Sequence, residues 1–591
     1  MNLRMCRSLL VLWAVLVVGQ AKAQDTLLRT LPGWAKVVVT VDLRDDTESM
    51  KTARRYMKPE QTEALEQLLY GLAQAGLMAA GHGTLDIQKD IISLVGKRGL
   101  LAFDPAVGGK TKESFMLLVE LIDGARAQAL IEKAIPQLSS LAPKDLIKSS
   151  QVGGATLWTI GPGQESVTLA IGPNALGVSD KLDTIKDWLA GPAPANALAQ
   201  RAQAAFARLK PGLLNVYVDE TLLDEKSVLG GNPVQEFLKL RSVVGSLTYG
   251  AEGVRYEVAG LVADGSAVKK LAASLPAGAP RGFSAVADDA LVAVSLASIS
   301  SLLAAAPLPL DPASMLALVA GPLFQDVPPG AINAVLQADL AIALTKLDLP
   351  PGVTISLVGK DAAGASQALA AIQALATKTG LVKVTEEMMD GKKVLKLHGL
   401  PAQAGIEAVY AAVSGASIIV GSDQAALSGA LNATKTLTAH PTFQKILPAL
   451  PQKSLITVYA VPAALIQKAG IFGTQMAGVR NKYLDRAFEL IGKAFPFYAS
   501  SLGVDDDGIR LVSYAGLDHD ELQKLSSIMG LLGGIAGALV PAAYATAGAG
   551  AEKASTSDPV SEVKPVAPAK PKAPATGTKP ATGAKKSSTK K

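Results

Sequence analysis

The chain has 591 residues, 49% of them hydrophobic and only 18% charged, with a formal net charge of +6. That is ample material for a large core and, at this length, for two or more domains. The charge is not evenly spread: residues 551–591 hold nine Lys against Glu552, Asp558 and Glu562, and Arg4, Arg7 and Lys22 add to the N-terminal end. The body between is therefore slightly acidic. The composition of the body gives no support for a polyanion-binding protein, whereas the tail does.

The first residues read as an export signal. Arg4 and Arg7 form a basic start, Leu9–Val18 is an apolar run too short for a comfortable span, and Ala21-Lys22-Ala23 predicts cleavage before Gln24. Residues 1–23 are thus expected to be removed. The sole cysteine, Cys6, goes with them, which excludes disulfides, Cys-bound zinc and a Cys nucleophile from the mature protein. A large exported chain without disulfides fits a bacterial envelope.

Along the chain, Leu31–Leu43 is a proline-bounded, β-branched run expected to be a buried strand. Apolar residues at helical spacing over Lys58–Ala80 predict one or two helices. Gly99–Phe103 and Phe115–Leu121 are expected strands. Ser114–Leu130 (SFMLLVELIDGARAQAL) couples the second of these to a helix through Asp123, which stands where a carboxylate caps orphan N–H groups. Ala155–Ile160 and Val167–Ile171 read as a hairpin, and Leu176–Leu189 as a strand, a Ser-Asp cap and a helix. Leu209–Asp219 and Gly245–Val262 follow, the latter a hairpin turning near Glu252-Gly253.

From about Phe283 the order restarts. Ala290–Leu296 matches Val37–Leu43, and Val353–Leu369 (VTISLVGKDAAGASQAL) repeats the strand–Asp–helix unit with Asp361 in the place of Asp123. Ile418–Leu427 repeats 176–189. Leu450–Val461 repeats 209–219 down to the Val-Tyr pair, and Ser500–Leu517 repeats 245–262 with Gly508 and Arg510 for Gly253 and Arg255. Correspondences in one order, each about 240 to 255 residues further along, predict a tandem duplication. Ser-Leu-Val-Gly-Lys at 93–97 and 356–360 lies outside that register and is a chance match. The copies keep Asp123 and Asp361 but not Glu120 or Arg126, so the aspartates read as helix caps and not as an active site.

Leu31-Pro32 before a Val-rich strand, the strand–Asp–helix unit and the signal peptide resemble a bacterial family of exported proteins known only as a domain of unknown function. The resemblance covers most of 27–517. It implies export and brings no established catalytic residues.

Few residues are arranged for chemistry. His82, His398, His440 and His519 have no metal-ligand spacing, and no P-loop, nucleophile elbow or dinucleotide fingerprint occurs. Asp505-Asp506-Asp507-Gly508 lacks the alternating ligands and the terminal Glu of an EF-hand, and its copy at 249–253 lacks the acids, so it reads as a solvated turn. No catalytic, cofactor-binding or metal residue is assigned, and no cofactor is expected.

Leu525–Ala551 is free of charge. It is long enough to cross a bilayer, which takes about 20 apolar residues, although only Ile528–Val540 is strongly apolar, a length that also suits a buried or interfacial helix. Residues 552–591, rich in Lys, Pro and Ala, are expected to be a disordered arm. If 525–551 spans, the positive-inside rule puts the arm in the cytoplasm beside anionic lipid; otherwise it meets anionic envelope polymer. Export argues against nucleic acid.

The expected architecture is α+β: a tandem duplication of a unit with short antiparallel sheets covered by amphipathic helices. One repeat domain spans 27–275 and the other 282–520, followed by the apolar helix 525–551 and the disordered tail 552–591. The expected function is a non-enzymatic exported envelope or periplasmic binding or scaffolding protein, with an envelope protein or polymer as partner and a C-terminal membrane tether. The alternative is a carboxylate-dependent hydrolase of the envelope.

Overall fold

In the computed structural model, the described residues lie between Leu27 and Lys524. They omit 57–91, 106–112, 142–145, 192–195, 225–234, 304–326, 400–406, 467–481 and a few shorter stretches. The expectations for the signal (1–23), the helices at 58–80, the segment 525–551, the tail, His82 and His519 fall outside the described residues.

Among the described residues, twenty strands pair, all antiparallel, in one hydrogen-bonded array. In the first half these are β1 (Val37–Asp42), β2 (Val95–Asp104), β3 (Ser114–Leu121), β4 (Ile147–Val152), β5 (Ala155–Ile160), β6 (Val167–Ile171), β7 (Ala175–Ser179), β8 (Leu214–Asp219), β9 (Leu240–Gly250) and β10 (Gly253–Val262). In the second they are β11 (Val292–Leu296), β12 (Asp339–Lys346), β13 (Gly352–Val358), β14 (Lys383–Met389), β15 (Lys392–His398), β16 (Ala408–Ser414), β17 (Ser417–Gly421), β18 (Ser454–Ala460), β19 (Tyr498–Val504) and β20 (Gly508–Ala515).

The first ten pair in the spatial order β4-β5-β6-β7-β3-β2-β1-β8-β9-β10. The second ten pair as β14-β15-β16-β17-β13-β12-β11-β18-β19-β20. The two orders are the same, position for position. They do not stay separate as short sheets: the free edges β10 and β20 pair along Val254–Leu261 and join the halves into one array. An edge strand presents unpaired N–H and C=O groups, and a second edge of the same shape satisfies them. Every described residue falls in one compact unit, which runs to Ile528.

One face of the array is covered by helices. Val38, Leu100, Met116, Tyr217 and Val244 pack beneath the helix Ala197–Phe206, which supplies Leu198, Ala199, Ala202 and Ala205. In the second half Ala293, Ala341, Tyr459 and Val512 pack against Phe283, Leu437, Phe443 and Ile446. Phe443 meets Phe283 and Tyr459 edge-on at 5.4 and 5.8 Å, an arrangement that suits ring quadrupoles.

The capping expectations resolve differently in the two halves. Asp123 accepts the Arg126 N–H at 2.9 Å at the start of the helix Gly124–Leu141. Asp361 accepts the Gly364 N–H at 2.7 Å at the start of Ala362–Thr379. Asp423 caps Gln424–Leu431 through Ala426 N–H. The Ser-Asp pair before Leu182–Leu189 does not cap that helix, whose N-cap is Lys181 without a side-chain bond. The Asp180 carboxylate is taken instead by Phe115 N–H, near the start of β3, and the Ser179 hydroxyl accepts Lys181 N–H. The two copies of Ser-Leu-Val-Gly-Lys sit in different elements, one entering β2 from a 3-10 turn and the other ending β13.

Candidate functional site

An antiparallel sheet with one face on the core normally turns a polar face to water. Here the second face is also apolar. The registers place Tyr256, Ser513, Ser500, Val458, Val294, Ile342 and Ile355 in one row across seven strands, from β10 to β13. The row on one side contains Tyr498, Val292, Leu344 and Val353, and the row on the other contains Leu511, Ile456, Leu296 and Leu340. Two described helices bound this area. Ala267–Ser274 packs on Leu502, Ile509, Val218 and Val243 at one end, and Ala362–Thr379 packs on Leu357, Ile418 and Val420 at the side. Between them Tyr256 is 49% exposed, Ile342 and Ile355 39%, Ile456 and Tyr498 38%. Ile299 and Leu302, on the short helix that follows β11, are exposed as well. Scattered exposed apolar residues need no explanation, but a contiguous patch of this kind does.

The seam between β10 and β20 carries the second feature. Counted from the glycines that open the two strands, Glu257 and Val512 occupy the same place, and they are also each other's cross-strand partners. On either side lie Arg255 and Arg510, equivalent in the same sense, and both reach Glu257, at 2.6 and 3.3 Å. Glu257 is buried, and Arg255 also lies 5.8 Å over the Tyr514 ring. Gly253 has φ +127, and a Cβ there would meet the Ala515 carbonyl oxygen; Gly508 stands equally close to the carbonyl oxygen of Gly260. Only glycine lets the two strands approach this closely at both ends of the seam. A cleft of about 650 Å³ opens beside it, with Glu252, Asp505 and Asp506 on its walls. These acids are held by Lys445, Arg510 and Lys453 respectively. Asp505 also accepts the N–H groups of Asp507 and Gly508, so the acidic run forms a closed turn.

Two further charge clusters are buried in the first half. Arg98, 1% exposed, pairs with Glu120 at 2.5 Å, and Arg44 makes a forked pair with Asp42. Burial, only partly offset by Arg98, holds the Glu120 carboxyl above the usual range. At Gly96 a Cβ would press on the Glu120 side chain, so this glycine makes room for the acid. The register equivalents in the second half are Asp339 for Arg98 and Val358 for Glu120, and Asp339 is paired by Arg281 instead. Asp219 accepts from Tyr217 Oη at 2.9 Å, from Arg201 and from Thr221 N–H. Burial alone would raise its carboxyl, but these bonds prevail and hold it below the ordinary value. Burial and the Asp219 charge push Tyr217 well up.

A cleft of about 960 Å³ near the start of the body is lined by Trp34, Trp188, Lys181, Asp183 and Asp187. Trp34 donates to Thr184 Oγ1 at 3.0 Å, and Lys181 sits 4.5 Å over its ring. Among the described residues no three His, Cys, Asp or Glu side chains gather as metal ligands, and no helix is long and apolar enough to cross a membrane. His398 bonds Thr385 through Nε2, and His440 lies 6.0 Å from the Tyr459 ring. Sequence reading missed both the open face and the seam. The alternation of apolar and small residues in 292–296, 339–346 and 454–460 signals strands, but only strand pairing reveals that both faces are apolar.

No curated protein matches the sequence. Two solved structures, crystal forms III and I of TP0453, are similar at 12% and 11% identity, over 40% of this chain and 80% and 79% of theirs. Their TM-score of 0.22 is too low to support an argument about fold or activity. The model of the family described as protein of unknown function, DUF3352, matches residues 9–461, and the chain belongs to that family.

Proposed function

We propose that this protein is an exported, non-enzymatic binding or scaffolding protein of the cell envelope, and that its working surface is the open apolar face running from β10 to β13. The observation that carries the reading is that an antiparallel array, already covered by helices on one face, keeps apolar side chains on the other. The buried carboxylates support binding over hydrolysis, because Glu120, Glu257 and Asp219 are each engaged by arginine. The body is read as a tandem duplication, supported by the recurrent ten-strand order and the equivalence of the seam residues. Residues 525–551 are read as a C-terminal tether with the Lys-rich arm on anionic lipid or polymer. Carbonate extraction with and without residues 521–591 tests that part, and release of the full chain by carbonate refutes it.

The face is tested with the double variant Ile342→Glu/Ile355→Lys. These residues are cross-strand partners, so the new charges face each other and the sheet is preserved. Binding of an environment-sensitive apolar dye should weaken by about tenfold, a typical result for lost apolar contact of about 1.4 kcal/mol, while the urea midpoint stays put. Unchanged dye binding would remove the face from this account.

A further inference from the structure

We infer that the occupant of this face is the acyl chains of a phospholipid molecule, an inference that rests on the face being the working surface. The first argument is chemical. Among the three central rows the non-aromatic polar side chains are Ser500 and Ser513, and their hydroxyls bond each other at 2.9 Å. A protein partner brings backbone and side-chain donors that need about one hydrogen bond per 100–200 Å². Apart from that serine pair and the Tyr256 and Tyr498 hydroxyls, the described side chains of these three rows offer no hydrogen-bonding group, whereas a hydrocarbon chain asks for none.

The second argument is topological. A peptide often docks by adding a strand to a sheet edge. Every strand of this face is interior: β10 is already paired with β9, and β13 with β17. Main-chain recognition is therefore closed to a partner, and only side-chain contact remains. The third argument concerns anchors. Protein interfaces concentrate their energy in Trp, Tyr and Arg. Arg255 and Arg510 alternate onto the opposite face, into the seam with Glu257, and no Trp lies in 240–262 or 292–515. The two exposed tyrosines are amphipathic side chains of the kind that sit where hydrocarbon gives way to a polar head group. The dimensions agree as well: six strand spacings make the floor roughly 29 Å across, wide enough for two extended chains to lie side by side.

The test uses the full-length protein and donor vesicles of a neutral phospholipid carrying one pyrene-labelled acyl chain. The protein should withdraw the labelled lipid, seen as monomer emission growing at the expense of excimer emission, and reach saturation at a fixed lipid-to-protein ratio. Ile342→Glu/Ile355→Lys should reduce withdrawal at least tenfold, and Ile456→Gln should reduce it at an unchanged urea midpoint, which separates lost binding from lost folding. Dye binding that responds to the variants without any lipid withdrawal would overturn the lipid while leaving the face intact. Vesicle flotation that depends on the face but leaves the lipid in the bilayer would also overturn it. So would a dimer abolished by the same substitutions, which would make the occupant a second copy. Dye and lipid both indifferent to the variants would overturn the lipid and the face together.

Discussion

The Arg98–Glu120 pair offers a measurement in which two substitutions should cost less than one. Arg98 is 1% exposed and its guanidinium pairs with the Glu120 carboxylate at 2.5 Å. Arg98→Met alone leaves the Glu120 carboxylate in a site built for a paired charge, a change that typically costs about 3–5 kcal/mol. Replacing both, as Arg98→Met/Glu120→Val, removes the stranded charge. Valine is the residue that the second half carries at the equivalent position, Val358, which is itself buried. The double variant should lie within about 2 kcal/mol of the parent on either side, because well-packed apolar replacements of buried pairs range from neutral to stabilising. Urea unfolding followed by tryptophan emission suits the question, because Trp34, Trp158 and Trp188 all lie in the first half and Trp158 is buried in its core. The coupling energy from the double-mutant cycle should exceed about 2 kcal/mol. A double variant as unstable as Arg98→Met, or a single variant that costs less than about 1 kcal/mol, would show that the pair is not dominated by burial of charge.

Two other outcomes follow from the clusters and caps. The Asp219 pKa in the folded state lies below its unfolded value near 3.9, so its stabilisation is present above about pH 4 and lost as the pH falls through the folded value. Asp219→Asn should therefore cost about 2–3 kcal/mol at pH 7 and show a shallower loss of stability between pH 4 and 2 than the parent. Equal slopes for parent and variant would refute the assignment. Asp361→Ala should cost about 1 kcal/mol through loss of the Gly364 cap and reduce protection of Gly364 N–H in hydrogen exchange. Asp180→Ala should instead deprotect Phe115 N–H, because its partner is on a neighbouring strand.

Much of the local structure was legible in the sequence because the signals are local. The run Phe115–Leu121 is strand, the runs Leu31–Leu43 and Leu209–Asp219 hold strands over Val37–Asp42 and Leu214–Asp219, Asp123 and Asp361 are caps, and the Gly253 hairpin turns where its sequence says it should. Asp180 does not cap its helix because its carboxylate accepts Phe115 N–H, 65 residues away, and a capping pattern carries no information about competing partners in space. The acid cluster at 505–507 forms the turn its sequence predicts, through local bonds from Asp507 and Gly508 N–H, while Asp506 and Asp507 also meet Lys453 and Arg208 from distant parts of the chain.

What the sequence determined by itself is the α+β class, the family and the local elements with the clearest signals, such as β1, β3, β8 and the caps at Asp123 and Asp361, since these depend on periodicity and turn chemistry along the chain; strands such as β4, β14 and β15 carry no such signal. Tertiary structure alone decided that β10 and β20 join, because each strand offers the same free edge and nothing in either sequence says which edge will answer it. That joining makes Glu257 and Val512 cross-strand partners and brings Arg255 and Arg510 onto one carboxylate. It also extends the row of Ser513, Ser500, Val458, Val294, Ile342 and Ile355 by one strand, adding the exposed Tyr256 of β10. The alternation of apolar and small residues in β11, β12 and β18 specifies strands, but only their neighbours determine which of the two faces is left uncovered.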